Sequence, residues 1–276
     1  MKRLIALLLF LFFSTFAQAQ DDIYNLENSK EFAAYLLESG QYKSAINEYE
    51  RVVFMAPNDL EQSVLLLKSY RLAEDYEQGI IKASALFPNL IEMPKEHSIE
   101  FSKSLMSLRS WDRANNFWDG SKTLAQDDKV LLKTTVEIFE GDFQKAQKQL
   151  SSIQDSLNIL GANYRSIIDQ GLNGKRKSPF VAGFLSTAVP GLGKVYTGDW
   201  KDAIVSLIFT GGMAFQAVRN FNKHGINDYR PWVYTTIGTG FYLGNILGSV
   251  KSAKDKNRKK INLLQHEASD YFNSYY

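Results

Sequence analysis

The 276-residue chain contains no cysteine, three histidines and six prolines. Without cysteine it can have no disulfide bond, no thiol nucleophile and no cysteine-based metal site. His97, His224 and His266 lie far apart, with no paired spacing or carboxylate cluster beside them, so no zinc site is predicted. The Gly-x-Ser-x-Gly and His-Glu-x-x-His motifs are also missing. We therefore expect no enzyme, no bound metal and no cofactor.

The chain begins with the pattern of a secretory signal. A short cationic start precedes an unbroken apolar run at residues 4–13, and Ala17 and Ala19 form a small-residue cleavage site. This order is typical of a signal peptide over residues 1–19, cleaved after Ala19. An uncleaved anchor or a buried first helix is the alternative, but the run is short for a membrane span. The pattern predicts export to the cell envelope.

Charge divides the rest of the chain. Residues 20–174 carry 24 acidic against 16 basic side chains, and residues 175–276 carry 6 against 14, so the net charges are −8 and +8. A difference of this size indicates two regions in different surroundings. Glycine and lysine near the boundary predict a linker. The predicted parts after the signal peptide are a helical-repeat domain at 20–170, a linker at 171–179, a membrane helical domain at 180–250 and a basic tail at 251–276.

The acidic region contains an internal repeat. An aromatic residue recurs at spacings of 34, 35 and 32, and a small residue follows three positions after each one. We expect the aromatic ring to close the turn between two helices and the small residue to let those helices approach closely. A single helix pair cannot bury its apolar face, so the pairs must stack into an all-α helical-repeat solenoid. The four pairs of motif residues are Tyr42 and Ala45, Tyr76 and Gly79, Trp111 and Ala114, and Phe143 and Ala146.

This repeat resembles the tetratricopeptide repeat over about residues 26–155, and a further helix near 156–170 is expected to cap the stack. Later units depart from the family pattern, since Gln126 stands where the third unit should have proline. The resemblance implies a groove that binds a peptide or protein, although a spacer or a dimerisation surface is the alternative. The first unit matches best, with the family's small, aromatic and proline positions occupied by Gly40, Tyr42, Ala45, Tyr49 and Pro57.

The basic region contains three apolar segments, at residues 180–189, 203–218 and 232–250. At about 1.5 Å per residue, the third can cross a bilayer, the second is marginal and the first cannot cross alone. The third segment also carries small residues four apart, which predict a close-packing helix face in lipid. A glycine-rich hairpin buried on the repeats is the alternative. The small residues of this face are Gly240, Gly244 and Gly248.

Residues 190–200, PGLGKVYTGDW, join the first two apolar segments. We expect the glycines to form a tight turn, Asp199 to cap the next helix, and Trp200 to lie at the lipid headgroups. The pattern resembles a motif of small prokaryotic membrane domains, including the TM2-type hairpin and a domain of Bacteroidetes envelope proteins. No strand precedes it and no Gly-Lys-Ser follows it, which argues against a phosphate-binding loop. Its motif residues are Pro190, Gly191, Gly193, Tyr196 and Gly198.

Six basic residues follow Ser249, and a basic cluster directly after an apolar segment is typical of lipid-headgroup contact rather than nucleic-acid binding. We expect a scaffold or adaptor anchored in the inner membrane, with its repeats in the periplasm and an unknown protein partner. Homo-oligomers could form through the glycine-rich helices. The alternative is an accessory factor for membrane-protein biogenesis or transport that acts through those helices.

Overall fold

The structure is a computed structural model, and it describes residues 25–153 and 158–276. Within these ranges the chain has thirteen α-helices, one 3-10 turn at Leu90–Glu92 and no strand, which confirms the all-α fold class. The signal peptide predicted at residues 1–19 lies outside the described residues. In chain order the helices are α1 (Leu26–Glu38), α2 (Tyr42–Met55), α3 (Leu60–Leu72), α4 (Tyr76–Leu86), α5 (Lys95–Ser107), α6 (Trp111–Gly120), α7 (Gln126–Glu140), α8 (Phe143–Leu150), α9 (Ile159–Asn173), α10 (Pro179–Ala188), α11 (Leu192–Thr197), α12 (Trp200–His224) and α13 (Tyr229–Tyr275).

The chain divides into two compact units between Leu132 and Lys133. This division falls inside α7, whereas the charge pattern places the boundary at residues 171–179. The second unit therefore includes α8 and α9, which lie in the acidic region of the sequence, together with the helices of the basic region. Packing between helices, not the sign of their charge, sets the limits of the two units.

Four successive helix–turn–helix pairs make up residues 26–150, from α1–α2 to α7–α8. Each second helix begins at the aromatic residue of the repeat. Two positions before that aromatic, the backbone is left-handed in every pair, and two of the four residues there are not glycine. The φ angles are 75° at Gly40, 60° at Glu74, 53° at Arg109 and 77° at Gly141.

The same hydrogen bond closes each of these turns. The N–H of the residue just before the aromatic donates to the carbonyl five residues back, as in the bond from Gln41 to Leu36 at 2.9 Å and the bond from Asp142 to Glu137 at 2.9 Å. This is the bond pattern of a helix that ends in a left-handed residue. A common turn geometry thus underlies the sequence repeat even where the residues differ.

Small residues allow the helices of the first unit to approach closely. Ala45 and Ala114 are fully buried. At Gly79, an added Cβ would lie 3.0 Å from the Cβ of Tyr70. Trp118 is fully buried as well, and its indole N–H donates to Ser102 Oγ at 2.8 Å. The core of this unit combines these contacts with aliphatic side chains from α1 to α6.

In the second unit, Phe143 and Ala146 of α8 are buried against α9. The ring of Phe143 occupies the space over Gly171, where an added Cβ would lie 2.4 Å from the ring. Thr135 Oγ1 and Tyr164 OH are 2.6 Å apart, and burial raises the pKa of Tyr164. The helix predicted near 156–170 is α9.

The longest element is α13, with 47 residues. It contains both the third apolar segment and the predicted basic tail, so residues 251–275 continue the helix instead of forming a separate tail. Lysine and arginine are good helix formers, and neither glycine nor proline follows Gly248, so the change from apolar to basic does not interrupt the helix. The C-terminal part packs against α9 and buries one stripe of side chains, Leu264, Ala268 and Phe272.

The segment between α9 and α10 is shorter than the predicted linker and is held in place. Only residues 174–178 lie outside helices. Asn257 Oδ1 accepts from the N–H of Lys177, and Asn257 Nδ2 donates to the carbonyl of Lys177, both at 2.8 Å. Composition predicts a flexible connection, but these two bonds fix the segment on α13.

In the described part of the chain, no helix combines the length and the apolar character that a membrane crossing requires. The membrane domain predicted at residues 180–250, which contains the apolar segments 203–218 and 232–250, is therefore not confirmed. Glycine, threonine and other polar residues recur through both segments.

Candidate interaction surfaces

Three glycines shape the connection from α10 to α12. Gly191 has φ 92°, and an added Cβ would lie 2.4 Å from the carbonyl oxygen of Ala203. At Gly193, an added Cβ would lie 1.9 Å from the carbonyl oxygen of Ala182. Gly198 ends α11 with φ 88°. A side chain at the first two positions would collide with backbone, and the third requires a left-handed conformation.

Buried polar contacts join this connection to α13. Asn245 Oδ1 accepts from the N–H of Gly191 at 3.1 Å. Ser186 Oγ accepts from the N–H of Gly193 at 3.1 Å and donates to Ser249 Oγ at 2.7 Å. Because an unpaired buried donor is costly, these side chains fix the loop in one position. The sequence analysis did not identify Asn245. The feature that could have pointed to it is a polar amide side chain within an otherwise apolar segment.

The remaining motif residues lie at the surface of the same connection. Tyr196 OH accepts from the N–H of Ser178 at 3.1 Å, and the Lys177 ammonium lies 4.6 Å from the centre of the tyrosine ring. Pro190 lies between α10 and α11. Asp199 immediately precedes α12, but its side chain makes no cap bond and instead accepts from the hydroxyl groups of Thr197 and Ser252.

Large apolar side chains remain exposed along α10, α12 and the first half of α13. Trp200, which is expected at lipid headgroups, is 58% exposed. Folded proteins rarely leave wide apolar areas in water, and such areas mark contacts with other proteins or with membranes. The most exposed residues of this apolar surface include Phe180 (79%), Phe184 (63%), Ile208 (64%), Phe215 (65%) and Leu247 (70%).

The predicted glycine face belongs to this apolar surface only in part. An added Cβ at Gly240 or Gly244 would meet nothing within 4 Å, whereas at Gly248 it would lie 3.5 Å from the side chain of Lys194. The contact between α12 and α13 uses another glycine, Gly238, where an added Cβ would lie 3.1 Å from Met213. Within the described residues, no helix packs on Gly240 and Gly244.

A groove of about 380 Å³ runs between α12 and α13 and is lined mainly by apolar atoms. Its walls include Thr210, Phe221, Gly238 and Tyr242. Thr210 is buried, and its hydroxyl has no hydrogen-bond partner in the part of the chain that the structure describes. The groove has the size and polarity to hold an apolar side chain or part of an acyl chain.

The first unit exposes a smaller aromatic patch on α1. The rings of Phe32 and Tyr35 are 52% and 60% exposed, and they stack with centroids 6.5 Å apart. A pair of exposed, ordered rings on a repeat helix is suited to contact with a protein.

Several buried ionisable groups of the first unit contact polar side chains of the same unit. Arg71 and Lys103 both donate to the carboxylate of Glu100, at 2.6 and 3.2 Å. Burial lowers the pKa of Lys103, and the charge of Glu100 opposes this effect. His97 Nε2 lies 2.7 Å from Ser63 Oγ, and burial lowers the pKa of His97. Their polar contacts are made within the unit.

No three acidic or histidine side chains in residues 25–153 and 158–276 lie close enough to hold a metal ion together. No protein-family model, curated protein or solved structure matches the chain. Function must therefore be inferred from the surfaces of the two units, of which the apolar surface of the second is the most extensive.

Proposed function

We propose that this protein is a membrane-associated scaffold or adaptor of the cell envelope, with a tetratricopeptide-like array that binds a protein partner. The observation that carries the proposal is the apolar surface of α10, α12 and the first half of α13. The signal-peptide pattern supports an envelope location. In this proposal the second unit holds the protein at the inner membrane and the array faces the periplasm.

The energetic argument concerns the exposed apolar side chains. Moving one large aliphatic or aromatic side chain out of water is worth about 1.5–3 kcal/mol. Several such side chains on one surface are enough to hold a protein on a bilayer, even against the entropy lost on binding. Association through this surface requires no helix to cross the membrane.

The array supports the second half of the proposal. Four helix pairs share one turn geometry, and proteins built from such helical repeats commonly bind other proteins. The exposed rings of Phe32 and Tyr35 lie on the first helix of this array. We propose that they form part of the partner-binding surface.

A vesicle-flotation experiment tests the membrane part. The full chain should float with phosphatidylcholine vesicles, and Ile208→Gln with Leu247→Gln should weaken binding about a hundredfold, since two exposed apolar contacts with lipid are lost. The matched control is Phe54→Gln with Ile81→Gln, whose side chains are 86% and 57% exposed on the array. Equal binding by all three proteins, or no binding by the parent, would reject the proposed membrane contact.

One observation favours the alternative function. Gly240 and Gly244 are open to close approach by another helix. If the protein assists a membrane protein through this face, Gly240→Leu with Gly244→Leu should abolish partner capture from detergent-solubilised membranes. If the protein is instead a scaffold that binds its partner through the array, Phe32→Ser with Tyr35→Ser should abolish partner capture. Both pairs are exposed, so each variant should keep the parent's helical circular dichroism.

A further inference from the structure

A cluster of lysines lies in the second unit where the apolar half of α13 ends. The long helix α13 carries most of them directly after its apolar half, and the segment between α9 and α10 supplies another. We define the basic collar by its six lysines, Lys175, Lys251, Lys254, Lys256, Lys259 and Lys260. All are exposed except Lys260, which is half-buried.

The fold, not only the sequence, brings these charges together. Asn257 binds the backbone of Lys177 through both of its amide atoms, which places the 174–178 segment beside α13. The ammonium of Lys260 lies against Gly174, where it leaves no room for a side chain. Lys256 approaches Gly198 at the end of α11, with its Nζ 3.9 Å from the position of an added Cβ. Residues about 80 positions apart in sequence therefore lie close together, and lysines flank them on both segments.

Carboxylates within the second unit do not neutralise this surface. In the described part of the chain, none of the six collar lysines forms an ion pair, and the neighbouring Asp255 is paired with Arg258 at 2.9 Å. Asp199 is engaged by hydroxyl groups from Thr197 and Ser252. Clustered lysines without a carboxylate in direct contact repel one another and favour an anionic surface from outside.

We propose that the basic collar binds the anionic headgroups of a phospholipid bilayer while the adjacent apolar surface contacts the acyl chains. Two features identify the occupant. The charge is complementary to anionic lipid, and the collar continues directly into the apolar surface, as expected where headgroups meet hydrocarbon. Exposed Trp200 is the first residue of α12, two positions after Gly198, which Lys256 approaches. Tryptophan is enriched at the interface between headgroups and hydrocarbon. This inference rests on the proposed membrane association and adds the class of lipid.

The test compares three forms of the full chain in flotation with neutral and anionic vesicles. The collar variant is Lys251→Gln, Lys254→Gln and Lys259→Gln, three exposed lysines that hold no other segment in place. The matched control is Lys43→Gln, Lys68→Gln and Lys148→Gln, three exposed lysines of the helical repeats that form no ion pair in the described part of the chain. Neutral vesicles are phosphatidylcholine, and anionic vesicles also contain phosphatidylglycerol.

We expect the parent and the control to bind anionic vesicles much more tightly than neutral ones, with salt weakening the difference. The collar variant should lose about a hundredfold in affinity for anionic vesicles, because each lysine near the surface contributes several-fold. Its affinity for neutral vesicles should equal that of the parent. Equal affinity for neutral vesicles would show that the collar substitutions leave binding through the apolar surface intact.

Several outcomes would overturn the inference. One is that the parent binds neutral and anionic vesicles with equal affinity, and another is that the collar variant binds anionic vesicles as tightly as the parent. A third is that inorganic phosphate at constant ionic strength displaces the protein from anionic vesicles, which would indicate a phosphate site. Tighter binding to a DNA duplex than to anionic vesicles at the same salt would assign the collar to nucleic acid. Parental binding to neutral vesicles with no anionic preference rejects the collar alone. Failure to bind any vesicle rejects the membrane association itself.

Discussion

The repeat array and the glycine-rich helices use small residues in opposite ways. In the array, Ala45, Ala114 and Ala146 are fully buried where two helices touch. In α13, Gly240 and Gly244 face open space. The array therefore completes its close contacts within the chain, whereas the glycine face of α13 leaves room for another molecule.

Apolar side chains show the same contrast. Tyr49, Leu66 and Trp118 of the array are fully buried, whereas Ile208 and Leu247 of the second unit are mostly exposed. A surface that stays apolar in water is stabilised when lipid or another protein covers it. The difference between the two regions is therefore the physical basis of the proposed function.

The largest expected effect separates the two kinds of glycine. Gly193→Ala should lower the free energy of unfolding by about 3 kcal/mol or more, because the new methyl group would overlap the carbonyl oxygen of Ala182. Gly244→Ala should keep or raise stability, by up to about 1 kcal/mol, because alanine favours helix and the site is open. Urea unfolding in detergent, followed by circular dichroism, measures both. Similar losses in the two variants would mean that the glycines do not fall into two classes.

The next effect concerns the core of the array. Ala45→Trp should cost at least about 1–3 kcal/mol, because Ala45 has no exposed surface and the larger side chain must separate two helices. Lys43→Trp, on the exposed side of the same helix, is the control and should be close to neutral. Thermal unfolding compares the two. An Ala45→Trp protein that melts with the parent would contradict the packing described for α2.

A pH effect is expected from His97. Burial lowers its pKa below the ordinary value of 6.5, so the unfolded chain binds the proton more readily. Stability should fall as pH drops below about 6.5, by at most about 1.4 kcal/mol per pH unit. His97→Gln should flatten this dependence between pH 7 and 5.5. Unfolding curves at several pH values measure the slopes, and an unchanged slope in His97→Gln would refute the assignment.

The smallest effect tests the shared turn. Gly40→Ala should cost about 1 kcal/mol, because φ is 75° and alanine avoids the left-handed region. Glu74→Gly should be neutral or slightly stabilising, since it relieves the same strain at φ 60° while making the unfolded chain more flexible. Chemical unfolding resolves the difference. A larger loss in Glu74→Gly than in Gly40→Ala would show that the two turns are not equivalent.

The helical class and the starts of the second helices follow from the sequence because aromatic and small residues recur at a fixed offset. The left-handed positions at Glu74 and Arg109 could not be found this way, since neither residue favours that backbone. They adopt it because the closing hydrogen bond and the packing of both helices require it.

The sequence also did not show that α13 continues as one helix past residue 250. A change from apolar to basic residues at position 251 indicates a new environment, but helix propensity continues through it. Likewise, the spacing of Gly240 and Gly244 predicts a close contact between helices. In the structure, Gly238 makes the contact within the chain and the other two remain open.

The most direct test of the central claim measures which tryptophans meet lipid. Trp200 and Trp232 of the second unit are 58% and 49% exposed, while Trp118 of the array is fully buried. Vesicles of brominated phosphatidylcholine should quench the fluorescence of the full chain, and Trp200→Phe with Trp232→Phe should remove that quenching. The account is contradicted if brominated lipid leaves the parent unquenched, or if the double variant is quenched as strongly as the parent.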